Sequence, residues 1–139
     1  MDGMICEDAL TGMRQLATDS VALTVTSPPY DDLRTYRGRS AFNVHLIAAE
    51  LERVTQPGGV VAWVVSDQVQ QGSESCSSFR HALAFRECGW RLHDTMIFKR
   101  FSPFPDANRY HPSFEYMFVF SLGKPGTFHP IEDRPNRNA

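Results

Sequence analysis

Two apolar runs rich in β-branched residues, SVALTVT (20–26) and VVAWVVS (60–66), bracket a stretch of helical period. A third candidate strand, WRLHDTMIFKR (90–100), follows a second helical stretch. This alternation is the tightest constraint on the fold. Strands that read as nearly continuous apolar runs are buried on both faces, and strand–helix–strand order gives parallel neighbours. In the first helix of that pattern Val44, Ile47, Leu51 and Val54 recur at three- and four-residue steps. QPGG (56–59) stops it, with a glycine available for the left-handed C′ position. Residues 77–88 form the second, with Phe79, Ala82 and Leu83 inward, serines as caps, and Gly89 at its end. A shorter helix is expected over 8–17, with Leu10, Met13 and Ala17 on one face and Glu7 and Asp8 at its start.

SFEYMFVFS (113–121) reads as a fourth strand, apolar on both faces, with Phe114, Tyr116, Phe118 and Phe120 as a core stripe. The connection before it, 101–112, is rich in proline and aromatics and carries no helix. The last strand is therefore expected to run antiparallel, at one edge of the sheet. The fold class is α/β: a mostly parallel, three-layer sheet whose last strand is antiparallel. Segments 31–42 and 67–75 read as loops. With 139 residues and no internal repeat, one domain over 1–131 and a flexible tail over 132–139 are expected. A chain of this length buries roughly two-thirds of its unfolded surface, enough for one core.

The formal net charge of −2 argues against a large phosphate-gripping surface. The cysteines, Cys6, Cys76 and Cys88, form no CxxC pair and read as buried free thiols of a reducing, cytoplasmic compartment. The five histidines show no ligand spacing with each other or with cysteine, so no metal is assigned. No apolar run reaches the roughly 18 residues of a membrane span, and MDGMICEDAL carries no secretory pattern. Trp63 and Trp90 read as core.

The first strand ends abruptly at Ser27-Pro28-Pro29-Tyr30. Two prolines remove two backbone donors and hold the chain extended or turning. In open α/β sheets ligands sit off the carboxyl ends of the strands. This rigid segment stands at such an end, and Ser66-Asp67 stands at the next.

The order of segments resembles the DNA amino-methyltransferases, which methylate the exocyclic N4 of cytosine or N6 of adenine. ICEDALTGMRQLATDSVALTVTSPPYDDLRTY is similar to their passage into the [DNS]PP[YFW] motif. ELERVTQPGGVVAWVVSD is similar to the helix–PGG–strand that follows, and GWRLHDTMIFKR and RYHPSFEYMFVFSLGKP to the next two strands. The likeness covers residues 4–131. It implies a partial Rossmann-like S-adenosylmethionine methyltransferase fold, DNA as substrate and S-adenosylmethionine as cofactor.

The chemistry accounts for the residue types. An exocyclic amino nitrogen is a poor nucleophile because its lone pair is delocalised into the ring. Acceptors that hold its hydrogens let it pyramidalise, and the Ser27 hydroxyl and Pro28 carbonyl are suitable, with Pro29 fixing the carbonyl's direction. The base must leave the duplex, and Tyr30 offers a ring to stack it, worth about 1–3 kcal/mol. Within the family Ser at the first motif position accompanies cytosine more often than adenine. Asp8 matches an acidic position near the cofactor's adenine, and reads equally as a helix N-terminal charge. Arg34, Arg37 and Arg39 are either phosphate contacts or a solvated loop, and Lys99, Arg100 and Arg109 either a DNA-facing rim or ordinary surface charge.

The family's glycine-rich F-x-G-x-G cofactor turn does not occur in these 139 residues. The segments match the catalytic half of members with permuted order. The first strand is thus expected to leave an apolar edge exposed, to be covered by self-association or by a complementary subunit. A second reading, of another class, is a non-catalytic module that associates with itself or with such a partner. A third, methylation of RNA or of a protein side chain, is weakened by Ser27, since protein-glutamine enzymes carry Asn there.

Overall fold

The computed structural model describes residues 3–29, 42–101, 107–110 and 113–130. In chain order the elements are α1 (Ala9–Arg14), β1 (Val21–Thr26), α2 (Val44–Val54), β2 (Thr55–Val65), β3 (Val69–Gln70), β4 (Ser73–Glu74), α3 (Ser77–Glu87), β5 (Arg91–Lys99) and β6 (Phe114–Ser121). The main sheet has the order β1-β2-β6-β5. β1 and β2 are parallel, while β6 runs antiparallel to both β2 and β5. β1, β2 and β5 therefore share one direction. The last strand is antiparallel as expected, but it lies inside the sheet, between β2 and β5, rather than at an edge. Its four aromatics and Val119 suit an interior position, which pairs both of its edges and leaves no free ladder groups.

The core lies on one face of the sheet. Val61, Trp63 and Val65 of β2 and Phe118 and Phe120 of β6 pack against Ile47, Ala48 and Leu51 of α2 and Phe85 of α3. Phe85 stacks on Phe120 with centroids 4.2 Å apart and meets Trp63 edge-on at 4.8 Å. Both tryptophans are buried. The Trp90 Nε1–H donates to the Ala48 carbonyl at 3.0 Å, and the Trp63 Nε1–H to His81 Nδ1 at 3.2 Å. α1 packs its Leu10 and Met13 beside this cluster. Arg53 ties α1 to α2, donating to Met13 O at 2.9 Å, Leu16 O at 3.1 Å and Glu50 Oε1 at 2.6 Å. Among the described residues no helix covers the opposite face of the sheet.

Several sequence expectations change. α3 does not point Phe79 and Leu83 inward; both are exposed, and the buried positions are Ser77, Ser78, His81, Ala84 and Phe85. Trp90 sets this rotation. Gly89, at φ +91°, closes a Schellman motif in which Trp90 N donates to Phe85 O and Gly89 N to Arg86 O, and the Trp90 ring meets Phe85 across it. α2 ends at Val54 and passes directly into strand at Thr55, so no glycine serves as its C′ residue. QPGG instead makes a bulge: β1 advances from Val21 to Leu23 while β2 advances from Thr55 to Val60. Gly58, at φ +80°, lies there against the backbone of 124–126, its N–H donating to Leu122 O at 2.7 Å. β1 is not a buried strand, since Leu23 and Val25 are exposed. Cys6 and Cys76 are exposed and Cys88 half-buried, all three as free thiols rather than core residues. Ala17 is exposed beyond the end of α1. The expected boundary at 131/132 falls outside the described residues.

Candidate nucleobase site at the strand ends

Because β1, β2 and β5 run in one direction, their carboxyl ends meet at one rim. The last registered pair of β1 and β2 is Thr26 with Trp63. Ser27, Pro28 and Pro29 thus leave the sheet alongside the final residues of β2. Pro28 is buried, Pro29 half-buried and Ser27 exposed. The ring of Pro28 is anchored in the protein while Ser27 stays open to a ligand. Tyr30, Arg34, Arg37 and Arg39 lie outside the described residues.

The neighbouring rim is built by Asp67, just past the end of β2. Its Oδ1 accepts the Ser78 N–H at 2.9 Å, and its Oδ2 accepts the Ser78 hydroxyl. Ser75 Oγ donates to Asp67 Oδ1 at 3.4 Å and accepts the Ser77 N–H at 3.4 Å. The residue before α3, Cys76, sits at φ +56° and makes no capping bond with its side chain. The helix is therefore capped from a distance by Asp67 and by Ser75, not by the serines of its own first turn. Asp67 is thereby committed to holding α3 against the strand ends.

The segment 67–75, expected as a loop, contains a two-stranded hairpin, β3–β4. Gln71 and Gly72 both take positive φ, 48° and 81°, as a two-residue type I′ turn requires. Glutamine replaces the usual Asn or Asp in that turn, so the sequence signal is weak. Arg109 donates to the Gly72 carbonyl and joins the hairpin to the loop ahead of β6. Gln70, Gln71, Ser73, Glu74 and Ser75 line an open polar cleft here. Beyond β5, Lys99 Nζ stands 5.3 Å over the Phe101 ring, Arg100 pairs with Glu115 at 3.1 Å, and Tyr110 is fully exposed.

Asp8 is the N-cap of α1: its Oδ1 accepts the Leu10 N–H at 3.0 Å and the Thr11 N–H at 3.3 Å. The structural reading of this residue is thus realised. Among the described residues the glycines with positive φ are Gly58, Gly72, Gly89 and Gly123. They serve a strand bulge, a hairpin, a helix stop and the exit from β6. None makes the strand–glycine–helix turn that lets a backbone approach the methionine end of a methyl donor. These residues alone therefore do not fit the whole of S-adenosylmethionine.

A family model described as DNA methylase, N6_N4_Mtase, matches residues 21–138. The chain belongs to this family. It is 59% identical over 119 residues to the orphan methyltransferase M.BamHII of Bacillus amyloliquefaciens, a match covering 85% of this chain and 44% of that one. It is 24% identical to the type II methyltransferase M.XycI of Xanthomonas campestris pv. cyanopsidis, covering 82% and 52%. The PvuII DNA methyltransferase, titled cytosine-N4-specific, superposes with a TM-score of 0.70 at 19% identity, over 86% of this chain and 49% of that one. A Thermus thermophilus protein solved with S-adenosyl-L-methionine superposes with a TM-score of 0.66 at 23% identity, over 91% and 56%. This N6_N4_Mtase chain thus spans about half the length of the relatives it matches. No helix among its described residues is long and apolar enough to cross a membrane.

Proposed function

We propose that this chain is the base-binding half of a DNA amino-methyltransferase that acts on the exocyclic N4 of cytosine, with the N6 of adenine as the alternative target. S-adenosylmethionine is the methyl donor. The observation that carries the reading is the placement of Ser27-Pro28-Pro29 at the carboxyl end of a parallel strand, with Pro28 buried and Ser27 exposed. Anchoring the proline ring removes motion from the very carbonyl that must accept a hydrogen from the amino group. The Ser27 hydroxyl accepts the other, so the nitrogen is held pyramidal and oriented. Tyr30 stacks the extruded base. Ser27 favours cytosine by its likeness to the family's cytosine enzymes. Asp8, while capping α1, keeps a second carboxylate oxygen for the adenine side of the donor. DNA is the macromolecular substrate, and the chain works together with a second polypeptide or a second copy.

The test is tritiated methyl transfer from S-adenosylmethionine to unmethylated mixed-sequence DNA, followed by nucleoside analysis of the product. The chain is assayed alone and together with the part of M.BamHII that the match does not cover. N4-methylcytosine is the expected product. Ser27→Ala should lower the rate by about a hundredfold or more, the scale for losing one preorganised hydrogen bond at a reacting group, while leaving the thermal melt unchanged because Ser27 is exposed. Transfer that survives Ser27→Ala and Tyr30→Ala together would refute the assignment.

A further inference from the structure

We infer that β5 is a self-pairing edge: two copies of this chain join β5 to β5, antiparallel, about a two-fold axis through Ile97. The inference goes beyond the function proposed above and rests on strand pairing alone. β5 ends the order β1-β2-β6-β5, with β6 on one side and no described strand on the other. Its nine residues are all exposed. Against β6 the pairs include Lys99 with Phe114 and Ile97 with Tyr116, and Arg100 N donates to Ser113 O at 2.8 Å. Ladder groups alternate along an antiparallel strand. Asp94, Met96, Phe98 and Arg100 therefore turn theirs to β6, while Thr95, Ile97 and Lys99 turn theirs outward. Such an outward row is a template for a further strand, and edges are normally guarded by charge, proline or a bulge. The middle of β5 has none of these guards. Thr95-Met96-Ile97-Phe98 carries no charge and no proline, and the shift in register lies earlier, between Leu92 and Asp94. Met96, Ile97 and Phe98 are 48%, 55% and 52% exposed.

Charge complementarity selects a second copy as the occupant. A two-fold axis that joins antiparallel edges stands perpendicular to the sheet and keeps each face on its own side, so only residues of like face meet. Centred on Thr95, such a pairing would set Arg91 against Lys99 twice, and like charges directly opposite are destabilising. Centred on Met96, it would set Asp94 against Phe98 and Arg100 against Leu92. Centred on Ile97, the pairs match: Asp94 faces Arg100, Met96 faces Phe98, Thr95 faces Lys99, and Ile97 faces itself. Arg100 is held on the face of Asp94 and Met96 by its pair with Glu115 at 3.1 Å, and the copy's Asp94 gives it a second carboxylate. Asp94 is free to do so, since its described ion pair is a long one, 3.7 Å to His93. On the helix side Ile97 neighbours Tyr116, whose ring meets that of the exposed Phe79 at 5.6 Å, so Phe79 extends the apolar strip beside the axis. The same strand supplies both halves of every match, which is the mark of an isologous contact.

The test begins with light scattering on the 139-residue chain across the micromolar range, where a dimer is expected. Ile97→Lys sets like charge against like on the axis, and Asp94→Lys sets it against Arg100. Each should raise the dissociation constant tenfold or more and leave the melt of the dilute chain unchanged, because both residues are exposed. Val25→Lys, exposed on β1 at the other edge of the sheet, should leave the dimer intact. The register is read by oxidation in a background of Cys6→Ser, Cys76→Ser and Cys88→Ser. Met96 and Phe98 of the two copies form a non-hydrogen-bonded pair, with Cα atoms about 4.5 Å apart and within disulfide reach. A Met96→Cys chain mixed with a Phe98→Cys chain should cross-link to it faster than either does to itself. Met96→Cys cross-linking fastest to its own kind would place the axis at Met96 and overturn the proposal. So would a chain that stays monomeric throughout the range, a dimer indifferent to both Ile97→Lys and Asp94→Lys, or a dimer broken by Val25→Lys. None of these readouts passes through methyl transfer, so the proposed function stands or falls separately.

Discussion

Two residues at the junction of α2 and β2 show how closely the backbone is drawn here. Thr55 is fully buried at the end of α2, and among the described residues its Oγ1 is the one buried side-chain polar atom without a partner. A buried hydroxyl without a partner costs about 1–3 kcal/mol. Thr55→Val keeps the shape and removes the cost, so it should raise stability in urea titration by about 1 kcal/mol. Gly59, four residues on, has no room for a side chain. A Cβ there would stand 2.5 Å from Thr55 Cγ2, 2.8 Å from Gln56 O and 3.1 Å from Ala22 O. Two of those atoms are backbone, one of them on β1, and cannot move without shifting the β1–β2 register. Gly59→Ala should therefore destabilise by about 1–3 kcal/mol, the usual range for overpacking, with the loss visible in the same titration.

At the scale of elements, α3 separates what a periodic pattern predicts from what packing selects. The spacing predicts Phe79, Ala82 and Leu83 inward, whereas in the structure Ala84 and Phe85 are buried, Phe85 against Trp90, while Phe79 and Leu83 face out. Phe85→Ala should cost about 3–5 kcal/mol, as truncation of a buried aromatic does. Leu83→Ala should stay within about 0.5 kcal/mol. Equal losses would contradict the observed rotation. α1 depends on a different device. It is only six residues long, below what propensity sustains, and it is held by Asp8 at its start and by Arg53 at its end. The Arg53 hydrogen bond, helped by its charge, holds the Glu50 carboxyl below its ordinary range. A depressed carboxylate contributes stability above its unfolded value and loses it as pH falls through the folded one. Amide protection of α1 should thus decline below about pH 4.5. Arg53→Ala should speed α1 exchange at neutral pH and abolish that acid dependence.

For the whole molecule, the sheet is the decisive feature. Three parallel strands and one antiparallel strand were legible as strands because apolar runs of this length, bounded by glycine, proline and helical stretches, have few other uses. The position of Ser27-Pro28-Pro29 just past the end of β1 was legible too, since paired prolines stop a strand. The order β1-β2-β6-β5 was not, because β6 is apolar on both faces and nothing local distinguishes an interior position reached by a hairpin from an edge. The hairpin at 69–74 was hidden by a turn that uses glutamine, and the capping of α3 by Asp67 spans eleven residues, beyond any local pattern.

The sequence by itself determined the four strands of the main sheet, the three helices and the stop at Ser27-Pro28-Pro29, because these follow from period and proline geometry, and the order of its motifs carried the resemblance to the DNA methylase family. Only the tertiary structure decided the strand order, the inward face of α3, and the fact that the described helices all lie on one face of the sheet. Those are set by long-range pairing and by which buried surfaces compete for the same volume, and no short stretch of chain contains that information.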